Sequence, residues 1–289
     1  MSTEQPWTIG RLLDWTTKFL QQKGSESPRL DSEVLLAHAL DCKRIDLYAR
    51  HSEEAPEQAR QRFRELVRQR VEGCPVAYLV GRKEFFSLEF TVTRAVLIPR
   101  PDTECVVDEC LRLAKALAAP AILDIGTGSG CLAVAIAKHH KTARVTAVDR
   151  SSEALAVASE NAQKHGVAER IRFLQGDLFA PLADERFDFI LSNPPYIPHD
   201  DIGKLAPGVR DYEPHSALDG GVDGFTVFDC LIAETPAHLK TNGYLLIEIG
   251  SPQEGPARER IERHGGYELA KTVHDGSGHP RVLIARLRA

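Results

Sequence analysis

The strongest structural signal in this 289-residue chain is a glycine-rich turn: Leu123-Asp124-Ile125-Gly126-Thr127-Gly128-Ser129-Gly130. The apolar run over residues 121–125 predicts a buried strand before the turn, and the apolar spacing over 129–140 predicts a helix after it. Glycines allow the tight bend between the two and let a ligand approach the main chain closely. A strand, a glycine turn and a helix in this order indicate an α/β domain.

The same alternation continues to the end of the chain. Strands are predicted over residues 121–125, 144–148, 171–174, 187–192, 243–249, 268–274 and 281–287, and helices over 129–140, 152–165, 224–239 and 253–263. Such alternation predicts a mostly parallel, seven-stranded sheet with helices on both faces. The loop 275–280 is too short for a parallel crossover, so the last two strands should pair antiparallel or lie apart.

The segment before this domain has a different character. Residues 1–75 show helical spacing of apolar residues and predict a small helical bundle without a catalytic constellation, which favours an interaction module over an enzyme. Residues 76–96 are rich in β-formers around Gly81 and predict a β-hairpin linker. The main domain is therefore expected to occupy residues 97–289.

A stiff loop is predicted at the start of the main domain. Prolines restrict the main chain over residues 97–104, and Asp102 or Thr103 is expected to cap a helix that reaches about residue 118. Arg100 lies in this loop. The sequence leaves two alternatives for Arg100: its side chain points into a functional site, or it is a plain surface arginine before a helix.

Composition and charge limit the function classes. The chain has 36 Lys and Arg against 41 Asp and Glu, a formal net charge of −5, so it lacks the basic surface of a protein that grips a phosphate backbone. Six cysteines form no CxxC pair and eleven histidines show no zinc spacing, so we expect no metal. With no signal peptide and no apolar run near 18 residues, we expect a cytoplasmic protein without membrane association. We also expect a monomer without direct nucleic-acid binding.

Acidic residues near the glycine turn indicate the kind of ligand. Asp149 ends the next predicted strand, where it can accept from both ribose hydroxyls, and Asp177 closes the third, where it can accept from an adenine amine. A dinucleotide site is the alternative, but the third glycine of GxGxxG would fall at Cys131. Asp124 would repel a pyrophosphate and attract a cation. This favours S-adenosylmethionine, a sulfonium without phosphates, over NAD.

A second distinctive turn follows the fourth predicted strand: Asn193-Pro194-Pro195-Tyr196. Two prolines fix two φ angles and remove two N–H donors, so nearby carbonyls have fewer competing donors. Tyr196 adds a flat aromatic wall. This rigid patch of acceptors suits a planar –NH2 group, either an amide or the exocyclic amine of a base. The alternative is a simple proline turn after a core strand.

Together the two turns resemble class I S-adenosylmethionine-dependent methyltransferases that act on planar nitrogens. Two further runs narrow the resemblance: Leu97-Ile98-Pro99-Arg100-Pro101-Asp102-Thr103-Glu104, and Asp211-Tyr212-Glu213-Pro214 leading to Ala217-Leu218-Asp219-Gly220-Gly221-Val222-Asp223-Gly224. With the N-terminal bundle they resemble the peptide chain release factor glutamine methyltransferase (PrmC/HemK) family over nearly the whole chain. Leu178 departs from the pattern, since some members have a tryptophan there, near the adenine.

The resemblance implies a Rossmann-like methyltransferase domain and an N-terminal bundle that docks a bacterial-type release factor. It implies methyl transfer from S-adenosyl-L-methionine, leaving S-adenosyl-L-homocysteine, to the glutamine amide nitrogen of the factor's Gly-Gly-Gln motif, which modulates translation termination. The cofactor-binding residues it implies are Gly126, Thr127, Gly128, Ser129, Gly130, Asp149, Asp177, Leu178 and Asn193. The catalytic residues it implies are Asn193, Pro194 and Tyr196, and Pro195 joins them in binding the substrate.

Three other functions stay open at the level of sequence. A ribosomal-protein glutamine methyltransferase shares the Asn-Pro-Pro-Tyr loop but typically lacks the Pro-Arg-Pro-Asp-Thr-Glu run. An adenine-specific nucleic-acid methyltransferase would flip its base into the same pocket, but the net acidity argues against it. A non-catalytic binding protein on this fold would be expected to have lost Asn193 or the glycines.

Overall fold

A computed structural model describes residues 6–288, which form two compact units. The first contains the chain up to Gly81 together with Pro207–Tyr212, and the second contains Arg82–Ala206 and the chain from Glu213 onward. No helix within residues 6–288 combines the length and apolarity needed to cross a bilayer.

The first unit is helical, as the apolar spacing predicts. Its helices are α1 (Ile9–Gln22), α2 (Pro28–Ala39), α3 (Arg44–Ala49), α4 (Glu57–Val71) and α5 (Val76–Val80). Their buried faces form one apolar core that includes Leu13, Leu36 and Phe63. Glu33 is buried beside this core, where its carboxylate accepts hydrogen bonds from Arg29, Arg44 and Tyr48. Three donors offset the desolvation of this charge.

A short segment far along the sequence also belongs to the first unit. Pro207–Arg210 forms a single helical turn, and the hydroxyl of Tyr212 donates to the main-chain carbonyl of Glu72 at 3.2 Å. A side chain on Gly73 would meet Pro207 and Tyr212 at 3.6–3.7 Å, an ordinary contact distance. The first unit is therefore built from two separate stretches of chain.

The predicted hairpin linker is wrong in its first half. Val76–Val80 is helical, and Gly81 ends that helix with φ +70°, a left-handed C-terminal cap that glycine adopts without strain. The hairpin itself is shorter: β1 (Arg82–Phe85) pairs antiparallel with β2 (Leu88–Thr91). Its turn lies at Phe86 and Ser87, both with positive φ, and not at Gly81.

The second unit confirms the predicted fold class. Seven strands, β3 to β9, form one sheet in the order β5-β4-β3-β6-β7-β9-β8. They span Ala121–Ile125, Arg144–Asp149, Ile171–Gln175, Phe187–Ser192, Leu239–Glu248, Tyr267–His274 and Pro280–Leu287. The first five are parallel, while β9 pairs antiparallel with both β7 and β8, as the short last loop predicts.

Helices cover both faces of this sheet. They are α6 (Glu104–Ala114), α7 (Cys131–His139), α8 (Ser152–Lys164), α10 (Thr226–His238) and α11 (Glu254–His264). The intervening helix, α9 (Pro207–Arg210), is the short turn that belongs to the first unit. Because side chains alternate along a strand, Ile122 and Leu123 enter different cores. Ile122 packs with α6 and α7, and Leu123 packs with α10 and α11.

The start of α6 differs from expectation. A 3₁₀ turn over Pro101–Thr103 precedes the helix, and Thr103 has helical dihedral angles. An N-cap needs an extended residue whose side chain reaches back to the first free N–H groups. Thr103 therefore makes no cap hydrogen bond, and the helix ends at Ala114 and not near residue 118.

One buried amide joins the hairpin to the glycine turn. Asn161, fully buried on α8, donates through Nδ2 to the carbonyls of Thr91 and Ser129 at 3.0 and 2.9 Å. Its Oδ1 accepts from the Thr91 N–H at 2.7 Å. The amide thus satisfies buried main-chain groups on two separate segments.

We expect Asn161→Ala to lower the free energy of unfolding by about 2–3 kcal/mol, because it leaves buried donors and acceptors without partners. Urea denaturation measures the effect. Gln163→Ala, at an exposed position of the same helix, is the matched control and should change little. Equal denaturation midpoints for the two variants would contradict this role.

Candidate active site

A cleft opens at the carboxyl ends of the parallel strands, where ligands bind in open α/β sheets. Most of the residues implied by the resemblance line it: Gly126, Thr127, Gly128, Ser129, Asp149, Asp177, Leu178, Asn193, Pro194 and Pro195. Arg100 and Thr103 line it as well. Gly130 and Tyr196 are not among the described residues that do so.

Glycine is needed at the three positions of the turn for two different structural reasons. Gly126 and Gly128 have φ of +73° and +55°, and no neighbouring side chain would crowd a Cβ there. Gly130 also has positive φ, but a Cβ on it would lie 3.0 Å from the Cβ of Ala158 on α8. Gly130 is therefore required for close packing of α7 on α8, whereas the first two leave the main chain open to the cleft.

Asp149 is held at the rim of the cleft by the main chain. Its Oδ2 accepts from the Gly128 N–H at 2.9 Å and its Oδ1 from the Ser151 N–H at 3.0 Å. An ionised carboxylate has about four acceptor sites, so each oxygen can still accept from a ligand. Leu178, beside Asp177, has φ of +46°, a left-handed conformation that is uncommon for leucine.

Asp124 places a buried acid beneath the glycine turn. Its Oδ2 accepts from the Thr127 hydroxyl at 2.6 Å, while Oδ1 has no hydrogen-bond partner among the described residues. Burial raises the pKa of Asp124 to about 7, although the hydrogen bond from Thr127 lowers it. An unpartnered acceptor at this depth suits a cation or an N–H donor.

Asn193 is fixed at the opposite side of the cleft. Its Nδ2 donates to Thr103 Oγ1 at 3.1 Å. The residue before it, Ser192, donates its hydroxyl to the Ile125 carbonyl at 2.8 Å, which ties the loop to the strand before the glycine turn. Pro194 is buried and Pro195 is partly buried. These contacts hold the Asn-Pro-Pro segment rigidly against the cleft.

Tyr196 lies beside the cleft. Its main-chain carbonyl accepts from Gln253 Nε2 at 3.0 Å, and its ring lies near Gly250. Burial raises the pKa of Tyr196 to about 12, so the phenol stays protonated. Its predicted contact with the acceptor amide stays a prediction.

Arg100 is not a plain surface arginine. Its guanidinium pairs with Glu213 at 2.6 Å, and the Ile98 N–H donates to the other oxygen of Glu213 at 3.2 Å. The Glu213 side chain is 1% exposed and that of Arg100 is 33% exposed. This ion pair joins two of the sequence runs on which the family resemblance rests. Arg100 lies in the run 97–104, and Glu213 lies in the run 211–224.

Sequence reasoning missed three polar residues at or beside this site. Thr103 was expected only as a possible helix cap, and Glu213 belonged to the run 211–224 without an assigned role. Glu248 had a signal of its own, because it is a lone acid in the apolar run of residues 244–249. A charge in such a strand is buried only with partners or for function.

Two stretches of the chain match known protein families. Residues 11–81 match the family described as PrmC N-terminal domain. Residues 109–205 match the methyltransferase small domain.

Solved structures share the fold of a large part of this chain. The hMettl16 catalytic domain, solved in complex with the MAT2A 3'UTR hairpin 6, is 15% identical and aligns with a TM-score of 0.58, covering 78% of this chain and 82% of that one. A methyltransferase from Pyrococcus furiosus is 19% identical with a TM-score of 0.51, covering 72% and 92%. At such identities the likeness shows the fold alone.

Curated relatives match along nearly the whole chain. The release factor glutamine methyltransferase of Rhodopirellula baltica is 45% identical over 287 residues, which cover 98% of this chain and 97% of the relative. That of Geobacter sulfurreducens is 43% identical and covers 99% of both. The chain belongs to the release factor glutamine methyltransferase family.

Proposed function

We propose that the chain transfers a methyl group from S-adenosyl-L-methionine to the glutamine side chain in the Gly-Gly-Gln motif of peptide chain release factors, in the cytoplasm. The observation that carries this proposal is that one cleft joins the open glycine turn to the fixed amide of Asn193. Family membership supplies the substrate class.

The residues on one side of the cleft fit the methyl donor. Asp149 has free acceptor capacity for ribose hydroxyls, and Asp177 and Leu178 flank the place for an adenine. Gly126 and Gly128 leave the main chain open, and the acid Asp124 is buried beneath the turn that they form. When bound, S-adenosyl-L-methionine supplies a methyl group activated by a sulfonium and leaves as S-adenosyl-L-homocysteine.

The residues on the other side suit a glutamine amide. An amide nitrogen is a poor nucleophile because its lone pair is delocalised into the carbonyl. Asn193 Oδ1 and the main-chain carbonyl of Pro194 would each accept one of its hydrogens, which directs the lone pair at the methyl group. Once the nitrogen carries the methyl group, one of these hydrogens would leave as a proton to solvent. Pro195 would add a wall to this pocket. Orientation of this kind can lower a barrier by up to about 7–11 kcal/mol.

We further propose that the first unit docks the release factor. Support comes from its match to the PrmC N-terminal domain and from an exposed aromatic surface. Trp15 is 52% exposed, stacks on Phe19 at 5.0 Å between ring centroids and meets Trp7 edge-on at 6.4 Å. Exposed tryptophans are frequent anchors in protein interfaces.

The activity itself is tested by incubating the chain with labelled methyl donor and either release factor or nucleic acid. We expect one methyl group on the Gly-Gly-Gln glutamine, located by mass spectrometry, and none on a release factor in which that glutamine is replaced by alanine. Labelling of nucleic acid, or of the alanine variant, would overturn the proposal.

Asn193→Ala should lower kcat by about 10²-fold or more, since misplacement of reacting groups by about 1 Å costs that much. Affinity for the methyl donor, measured by calorimetry, should stay nearly unchanged. A turnover close to that of the unmodified chain would rule out the role of Asn193 in holding the acceptor.

Asp149→Ala should have the opposite pattern and weaken methyl-donor binding about tenfold or more, because hydrogen bonds to a charged group contribute about 1.5–3 kcal/mol. Calorimetry measures the affinity, and Gln163→Ala serves as the control. If the two variants bind the donor equally well, Asp149 does not hold the ribose.

Trp15→Ala should raise KM for the intact release factor and leave KM for a short Gly-Gly-Gln peptide unchanged, because only the intact factor reaches the first unit. Leu117→Ala, at an exposed apolar position of the second unit, is the comparison and should change neither constant. A parallel rise for factor and peptide would argue against docking.

A further inference from the structure

One side chain beside the cleft holds three separate segments together. Gln253 ends the 3₁₀ turn Ser251–Gln253, which lies between β7 and α11. Its Nε2 donates to the main-chain carbonyl of Tyr196 at 3.0 Å and to that of Gly224 at 3.3 Å. Its Oε1 accepts from the Gly250 N–H at 2.9 Å. The Asn-Pro-Pro-Tyr segment, the loop that reaches Gly224 and the turn after β7 therefore meet at one amide.

The surroundings of this amide allow only one orientation. A glutamine amide donates through its –NH2 end and accepts through its oxygen. Two carbonyls lie at the –NH2 end of Gln253, and one N–H lies at its oxygen. Rotation by half a turn would place the oxygen against two other oxygens and the –NH2 against a donor. The main chain thus fixes the amide, and the amide in turn fixes the three segments.

Two glycines let the segments approach this amide closely. A Cβ on Gly224, which has φ of +80°, would collide with the Tyr196 carbonyl oxygen and lie 2.8 Å from Gln253 Nε2. A Cβ on Gly250 would lie 3.1 Å from Gln253 Oε1 and 3.3 Å from the Tyr196 ring. Gly224 therefore leaves no space for a side chain, and Gly250 leaves little.

The main chain beyond Tyr196 is paired with the same loop. The Ile197 N–H donates to the Leu218 carbonyl at 3.0 Å, and the Gly220 N–H donates to the Ile197 carbonyl at 2.8 Å. The glutamine binds the carbonyl on either side of this pairing, that of Tyr196 before it and that of Gly224 after it. The amide therefore joins the two segments at the point nearest to the cleft residues.

The position of Tyr196 matters for the reaction because of the residues directly before it. In the proposed function, the main-chain carbonyl of Pro194 accepts one hydrogen of the substrate amide. The ring of Pro195 fixes its φ, so few free torsions separate the carbonyl of Pro194 from that of Tyr196. The Ser192 hydroxyl holds the other end of this segment by donating to the Ile125 carbonyl at 2.8 Å. Both ends of the segment are thus held by side-chain hydrogen bonds.

We propose that Gln253 is a positioning residue for methyl transfer, which fixes the carbonyl of Tyr196 and thereby that of Pro194. This inference rests on the proposed transfer to glutamine. Gln253 is not among the described residues that line the cleft, so it acts through the Asn-Pro-Pro-Tyr segment and not on the reacting atoms. The inference also gives a role to the run that ends at Gly224, which is to hold this segment from behind.

The first variant is Gln253→Met, which keeps the length of the side chain and removes the amide. We expect kcat on the release factor to fall by about tenfold or more, because misplacement of reacting groups by about 1 Å costs about 10²-fold. KM for the release factor and the affinity for the methyl donor, measured by calorimetry, should stay nearly unchanged, because Gln253 does not line the cleft.

Ile232→Val is the matched control for a loss of stability. Ile232 is buried on α10 within the core on one face of the sheet. The substitution removes one buried methylene group, which destabilises the fold without changing any hydrogen bond. It should lower the melting temperature and leave kcat unchanged. All rates are compared at a temperature at which circular dichroism shows each variant to be folded.

A second variant, Gln253→Glu, tests the direction of the hydrogen bonds. It has the same shape and keeps an oxygen for the Gly250 N–H. An ionised carboxylate only accepts, so it cannot bind the carbonyls of Tyr196 and Gly224. We expect kcat to fall at least as far as in Gln253→Met, because the carboxylate would face two carbonyl oxygens.

Hydrogen–deuterium exchange followed by NMR measures the order of the segment without any substrate. The Ile197 N–H, which donates to the Leu218 carbonyl, reports whether the pairing directly after Tyr196 is intact. In Gln253→Met we expect its exchange to accelerate by about tenfold or more, because local opening does not require global unfolding. Ile232→Val should leave this exchange unchanged.

Several results would overturn the inference. One is a loss of kcat smaller than about tenfold in Gln253→Met, and another is a near-normal kcat in Gln253→Glu. Unchanged exchange of the Ile197 N–H would also overturn it, as would a fall in methyl-donor affinity that accounts for the lost rate. If the unaltered chain does not methylate the release factor, the proposed function fails, and the exchange measurement still decides whether Gln253 holds the segment.

Discussion

The parallel pairing of β3 with β6 is the constraint on which the site depends. It sets Ile125 opposite Ser192, and the Ser192 hydroxyl closes the gap by donating to the Ile125 carbonyl at 2.8 Å. The glycine turn follows the first strand and the Asn-Pro-Pro segment follows the second. Two motifs 67 residues apart in sequence therefore meet at one edge of the sheet. Neither could form the cleft if the strands were not adjacent and parallel.

Much of this arrangement follows from sequence because its signals are local. Strands such as Phe187–Ser192 are short apolar runs bounded by turns, and the glycine turn predicts a bend between a strand and a helix from its own residues. The secondary structure of Val76–Val80 was harder to predict, because its β-branched residues favour a strand. The left-handed cap at Gly81 and packing in the helical unit favour a helix. Tertiary contacts decided the outcome there.

The parts that sequence did not reveal depend on contacts between distant segments. Thr103 fits the pattern of an N-cap, yet its hydroxyl oxygen accepts from Asn193, which lies 90 residues away in the chain. Gly130 fits a ligand-binding glycine, yet Ala158 explains it. Residue type identified these positions, but only the folded structure revealed their partners.

The helical unit also has a consequence for the order in which the protein forms. Its contacts include Tyr212, whose hydroxyl donates to the carbonyl of Glu72, and Pro207, which lies close to Gly73. Domains generally fold during synthesis from the N-terminus onward. Here the unit made first reaches its complete set of contacts only after most of the sheet strands have left the ribosome. The maturation of the N-terminal unit is thereby tied to the synthesis of the catalytic one.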